Sequence, residues 1–146
     1  MIAPSEGDAD MFYATRFFVP DSFVFFQINN KSHILMNDLE VDRARKQAKV
    51  TKVHSYSAWA SRTSAVLGRQ ARLMDTVSFF LKENGARRIS VPHHFPVAFA
   101  DQLRKRGFRL DVSNIPFFQE RIYKSKYEIH AIEETQRHTE SAVREA

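Results

Sequence analysis

Cysteine is missing from this chain of 146 residues. A disulfide scaffold, a thiolate nucleophile and a Cys-ligated zinc site are therefore excluded. The lack also fits a reducing compartment. Glycine is scarce, with four residues standing far apart. No phosphate-cradling loop of the G-x-x-x-x-G-K or G-x-G-x-x-G type can be written from them. No G-x-S-x-G elbow marks a serine nucleophile. No apolar run approaches the length of a membrane span. The opening MIAPSEGDAD is acidic and lacks the basic-then-apolar order of a signal peptide. A cytoplasmic protein with no membrane partner is the expectation.

What is present is a chain long enough for one domain with a substantial core. Hydrophobic residues make up 43% and charged residues 27%, the balance of a soluble globular protein. Thirteen Phe predict an aromatic-rich core. Net charge is +5, which permits an acidic or nucleic-acid partner, so the distribution has to decide. Lys and Arg are scattered over Arg43 to Lys52, Arg69 and Arg72, Arg87 and Arg88, and Arg104 to Arg106. The last cluster precedes Gly107, where cations suit the negative end of a helix. No basic strand interleaved with aromatics appears, and no nucleic-acid partner is expected.

Along the chain, residues 1–10 read as a loose polar start. MFYATRFF, Met11 to Phe18, reads as a first strand, and Pro20, Asp21 and Ser22 turn the chain. FVFFQI, Phe23 to Ile28, suits a central strand covered on both faces. Asn29 and Asn30 tolerate the positive φ of a tight hairpin, and a strand returns over His33 to Asp38. A helix is predicted over Asp38 to Lys49, started by Asn37 and Glu40, with a short strand over Lys52 to Tyr56. The strongest helix is RQARLMDTVSFFLKENG: Leu73, Met74, Val77, Phe80 and Leu81 share a face, and Gly85 closes it. A strand over Arg87 to Val91, a helix over Val97 to Arg106 closed by Gly107, and a strand over FRLDVS follow, with NIPFF as a link. Strand–helix alternation after a hairpin argues for an α/β mixed sheet flanked by helices.

The chain closes on KSKYEIHAIEETQRHTESAVREA. Ser125 and Glu128 form a capping box. Ile129, Ile132, Ala142 and Val143 give a weak apolar stripe. No Gly, Asn or Pro stop signal follows, and the partner of this helix is expected to lie outside the chain.

Catalytic candidates are thin. His93 and His94 are adjacent on an extended segment and point opposite ways, which does not suit a shared metal. His130 and His138 lie two helical turns apart, on a solvated face. Asp10, Asp21, Asp38, Asp42, Asp75, Asp101 and Asp111 are strewn one per element, with no acid–base pair among them. The many Phe read as core rather than as a stacking platform.

Four stretches nevertheless carry a resemblance. ADMFYATRFFVPDSFVFF presents Asp10, Tyr13, Thr15, Phe17, Pro20 and Asp21. DLEVDRARKQA presents Glu40, Arg43 and Ala44. HHFPVAFADQLRKRGF is a strand–helix pair, and RIYKSKYEI presents Arg121, Lys124, Ser125, Glu128 and Ile129. In this order they resemble the N-terminal domain of the creatinase, prolidase and Xaa-Pro aminopeptidase family. Arg16 stands where many members carry Gly. The resemblance implies a ribonuclease H-like fold without nuclease activity, since the expected first strand, FYATRFF, has no carboxylate for two-metal chemistry.

It also implies a domain over residues 1–120, followed by a linker and the first helix of a pita-bread catalytic domain over 121–146. In that family the catalytic domain holds two divalent metal ions, Mn, Co or Zn, through two Asp, one His and two Glu. No cofactor is implied for this chain itself. The implied partners are the catalytic domain and a second copy in a homodimer. The implied role is non-catalytic: dimerisation, and walling the active-site entrance of a peptidase that cleaves bonds involving proline. The residues implied for that wall are Phe17, Phe18, Val19, Pro20 and Asp21. An alternative comes from relatives that keep the architecture, lose the metal ligands and act as binding proteins.

Overall fold

The computed structural model describes residues 1–113 and 116–145. Its strands are β1 (Ile2–Ala3), β2 (Phe23–Ile28), β3 (Lys31–Met36), β4 (Lys52–Ser55), β5 (Arg88–Pro92) and β6 (Arg109–Ser113). Its helices are α1 (Ala9–Thr15), α2 (Val41–Gln47), α3 (Tyr56–Leu67), α4 (Leu73–Glu83), α5 (Val97–Lys105) and α6 (Lys126–Glu145), with a 3-10 turn at Gln119–Ile122. The architecture is α/β: a mixed sheet flanked by helices. β1 to β4 lie in sequence order, antiparallel across β1–β2 and β2–β3 and parallel across β3–β4. β5 and β6 form a separate parallel pair.

Met11 to Thr15 of the expected strand lie in helix α1, and Arg16 to Phe18 after it form no strand. Asp8 accepts a hydrogen bond from Met11 N at 2.8 Å and caps α1. Met11 and Thr15, one turn apart, are buried together. The β-prone composition pointed to a strand, and the Asp cap with its helical spacing overrode it. Arg16 ends the helix at φ 47°, ψ 30°, the left-handed conformation that glycine adopts most readily. The start of the chain is likewise not loose: Ile2–Ala3 pairs with β2 and Ser5 is buried. Strand β2, FVFFQI, contains no carboxylate either.

Asn29 and Asn30 take φ 49° and 60°, as a two-residue hairpin turn requires. β2 is covered on both faces. Val24 and Phe26 join Leu35, Met74, Val77 and Phe80 in one core, while Phe23 and Phe25 join Met11, Phe17, Ile34 and Met36 in the other. Phe80 of α4 stacks on Phe26 with ring centroids 4.5 Å apart. Gly85 and Gly107, at φ 72° and 88°, turn the chain after α4 and α5.

Helix α2 is shorter than expected, and α3 has no counterpart among the elements the sequence predicts. Only Thr63 of α3 is buried, so its sequence carries little apolar periodicity. In the NIPFF link, Asn114 and Ile115 lie outside the described residues. Helix α6 has no buried residue. No described helix is long and apolar enough to cross a membrane.

Candidate functional site

The loop Phe17–Asp21 alternates. Phe17 and Val19 point into the core, while Phe18 (54% exposed), Pro20 and Asp21 face outward. Of the five residues implied for the entrance wall, Phe18, Pro20 and Asp21 are open to another molecule and Phe17 and Val19 are not. Buried Ser5 fixes the loop: its hydroxyl donates to Phe17 O at 2.6 Å and accepts from Val19 N at 2.8 Å. Phe12 of α1 meets Phe18 edge-on, with centroids 6.4 Å apart, and leaves an exposed aromatic pair beside the loop.

Distant parts of the chain converge on this pole. Arg43 of α2 donates to Phe18 O at 3.1 Å, and its guanidinium lies 4.3 Å from the Phe17 ring centroid. Glu40 holds the same guanidinium at 2.6 Å. Arg121 Nε lies 2.9 Å from Asp10 Oδ1. Arg16 reaches Glu128 at 3.1 Å and lies over the Tyr13 ring at 4.7 Å. Glu128 closes the expected capping box, accepting from Ser125 N and Oγ, each at 2.9 Å. Those bonds, with Arg16, hold its carboxyl down at about 2. Beside the loop stretch, Asp8 Oδ2 meets His94 Nε2 at 2.8 Å.

A second constellation escaped the sequence reading. His33 Nδ1 and His54 Nε2 lie 3.0 Å apart across β3 and β4. Trp59 Nε1 donates to His54 Nδ1 at 3.2 Å. An indole is donor only, so His54 Nδ1 is the acceptor. The His54 proton therefore sits on Nε2 and points at His33 Nδ1, and the His33 proton sits on its own Nε2. This polarity favours a neutral donor chain over a metal clamp, because ligation through His54 Nε2 would set an Nδ1 proton against the Trp59 proton. Burial, then His33, then Lys52 pull His54 down to about 4; burial and the Lys52 and Lys31 ammonium groups lower His33. Phe80 meets the His54 ring edge-on at 5.1 Å. Strand register could have found the pair, since His33 sits opposite Lys52 and His54 lies two residues on, on the same face.

The remaining candidates are structural. His93 and His94 do not lie on an extended segment pointing opposite ways: they sit on a turn after β5, and their rings meet edge-on at 4.8 Å. His94 is spent on Asp8. Asp75, buried at the start of α4, accepts from Arg69 at 2.8 Å, Arg106 at 2.7 Å and Arg72 N at 3.1 Å. These donors, the Arg69 guanidinium foremost, hold its carboxyl well below the usual range. His130 and His138 lie on exposed α6. Among the described residues, no group of three or more His, Asp or Glu is placed to hold a metal ion. Comparisons with protein-family models, with curated proteins and with solved structures return no match.

Proposed function

We propose that this chain is a non-catalytic accessory domain of a metal-dependent peptidase acting on bonds that involve proline, of the creatinase, prolidase and Xaa-Pro aminopeptidase family, with a ribonuclease H-like sheet. The carrying observation is the convergence at one pole. The stretches holding Asp10 to Asp21, Glu40 to Ala44 and Arg121 to Ile129 were set apart by resemblance alone, and they meet through Arg43–Phe18 and Arg121–Asp10. There Phe18, Pro20 and Asp21 are exposed, and Arg16, two residues before Phe18, pairs with Glu128 at the start of α6. In this reading α6, whose Ile129, Ile132 and Val143 are all exposed, packs on the following catalytic domain. That domain carries the two metal ions, the outward loop residues wall its entrance, and the whole works as a cytoplasmic homodimer.

The test is the natural reading frame past codon 146. A continuing frame that encodes the Asp, Asp, His, Glu, Glu ligand set supports the proposal. A continuing frame without those ligands favours a creatinase-like binding protein. A stop codon there overturns both. The chain alone should not hydrolyse Xaa-Pro peptides, with or without manganese or cobalt. Metal-dependent turnover by a pure sample would show catalysis where the proposal places none.

A further inference from the structure

The loops that follow α4 and α5 enclose a cleft of about 620 Å³ lined by Lys82, Arg87, Arg88, Arg106 and Arg109, with Phe108 at its base. Among the described residues, no carboxylate lines it. Arg88 is paired with Asp111 and Arg106 with Asp75. Among the described residues, Lys82, Arg87 and Arg109 have no carboxylate within ion-pair distance, and all three are exposed. The C-terminal ends of two helices, α4 and α5, open here and supply about half a negative charge each. About two positive charges remain uncompensated.

We propose that this cleft is a binding site for a compact phosphate-bearing anion. A phosphate monoester carries about −1.5 to −2 at neutral pH, which matches the residual charge. Guanidinium groups meet phosphate oxygens bidentately. Side chains supply the main contacts, because four backbone donors of the lining are already used: Gly85 N on Lys82 O, Ala86 N on Leu81 O, Gly107 N on Arg104 O and Arg109 N on Arg87 O. Lys82 Nζ lies 6.0 Å from the Phe108 ring centroid, at the outer reach of a cation–π contact.

A compact anion fits better than a nucleic-acid strand. A strand needs a run of cations along several phosphates. Elsewhere Arg16, Arg43, Arg45, Arg62, Arg104 and Arg121 each sit on a carboxylate. Phe108 is buried and offers no face for a base.

The experiment titrates the 146-residue chain with inorganic pyrophosphate and, separately, glycerol phosphate at constant ionic strength, following amide resonances. Saturable shifts at Gly85 and Gly107 are expected. The tighter arm tells a free phosphate from a phosphorylated small molecule. The double variant Arg87→Gln with Arg109→Gln should bind at least tenfold more weakly, and Lys46→Gln on α2 should bind as the parent does. If the double variant misfolds, Lys82→Gln takes its place, with several-fold weakening expected. Shifts that chloride reproduces, an equal loss in Lys46→Gln, or tighter binding of a single-stranded oligonucleotide would each overturn the proposal.

Discussion

Arg121 holds Asp10 from the far end of the chain: Nε lies 2.9 Å from Oδ1, and the carboxylate is almost wholly buried at 9% side-chain exposure. The N–H does not point along this contact, so it is an ion pair without hydrogen-bond alignment, and neither atom has a hydrogen-bond partner among the described residues. The pair joins α1 to the segment that leads into α6. Removing one member strands a mostly buried charge, the situation in which buried pairs prove most costly to break. Arg121 keeps a third of its side chain in water, which tempers the loss. Asp10→Ala is expected to cost about 2 kcal/mol in urea unfolding. Asp10→Ala with Arg121→Leu should lose clearly less than the two single losses added together. Strict additivity would mean that the two groups do not interact.

Arg16 carries a conflict between backbone and side chain. Its left-handed conformation costs an L-residue about 1 kcal/mol, and glycine escapes that cost. Its guanidinium meanwhile reaches Glu128 and Tyr13, contacts that are exposed and weak. Arg16→Ala loses the contacts and keeps the strain. Arg16→Gly loses the contacts and releases it. Arg16→Gly should therefore unfold about 1 kcal/mol later than Arg16→Ala. Equal stabilities, measured by denaturant midpoint at unchanged slope, would show that the backbone is unstrained in solution.

Between pH 6.5 and 4 the His54 chain should make the fold acid-sensitive. The ordinary value of His54 is 6.5, and the fold lowers it to about 4. In that window the unfolded chain takes up a proton that the folded chain refuses, so stability rises with pH. The contribution is complete above pH 6.5 and is lost as pH falls toward 4. His33, lowered in the same direction, adds to the slope. The nearby charges are Lys31 and Lys52 on the strands and Arg62, whose guanidinium lies over Trp59 and meets Glu83. Asp75 acts only below about pH 4, where carboxylates titrate. Thermal unfolding at pH 4.5, 5.5 and 7 should show a falling midpoint that flattens in His54→Gln. An equal slope in both proteins would remove His54 as the cause.

The sequence was most legible where one signal dominated its surroundings. Phe23 to Ile28 reads as a doubly covered strand because every residue from Phe23 to Phe26 is apolar, and each is buried. Asn29 and Asn30 mark their hairpin because few other residues tolerate two positive φ angles in a row. Over Met11 to Phe18 residue type and spacing disagree: aromatics and Thr favour strands, while the Asp8 cap and the Met11–Thr15 interval favour a helix. Helix α3 carries only a weak signal: its inward side is Tyr56, Trp59, Ala60, Thr63 and Ser64, a mixed polar and apolar set of which Thr63 alone is buried. The His33–His54–Trp59 chain depends on the register of β3 against β4. No spacing along the sequence encodes that register, and a shift of one residue would turn the two rings to opposite faces.

Helix α6 should behave as an appendage. It runs from Lys126 to Glu145 with no buried residue, and Arg16–Glu128 is its ion pair to the rest of the fold. Most helical stability in proteins comes from packing an apolar face. Here Ile129, Ile132 and Val143 lie open. Its amides should exchange far faster than those of α4, whose Met74, Val77 and Phe80 are buried. Mild trypsin should cut first after Arg137 and Arg144, and the trimmed chain should melt within about 2 °C of the intact one. The helix start should also loosen in acid. The capping box is at full strength above pH 4.5, the ordinary value for Glu128, and is lost as pH falls toward its folded value of about 2. Slow exchange in α6, or resistance to trypsin that disappears on dilution, would show instead that a second copy already covers the apolar stripe.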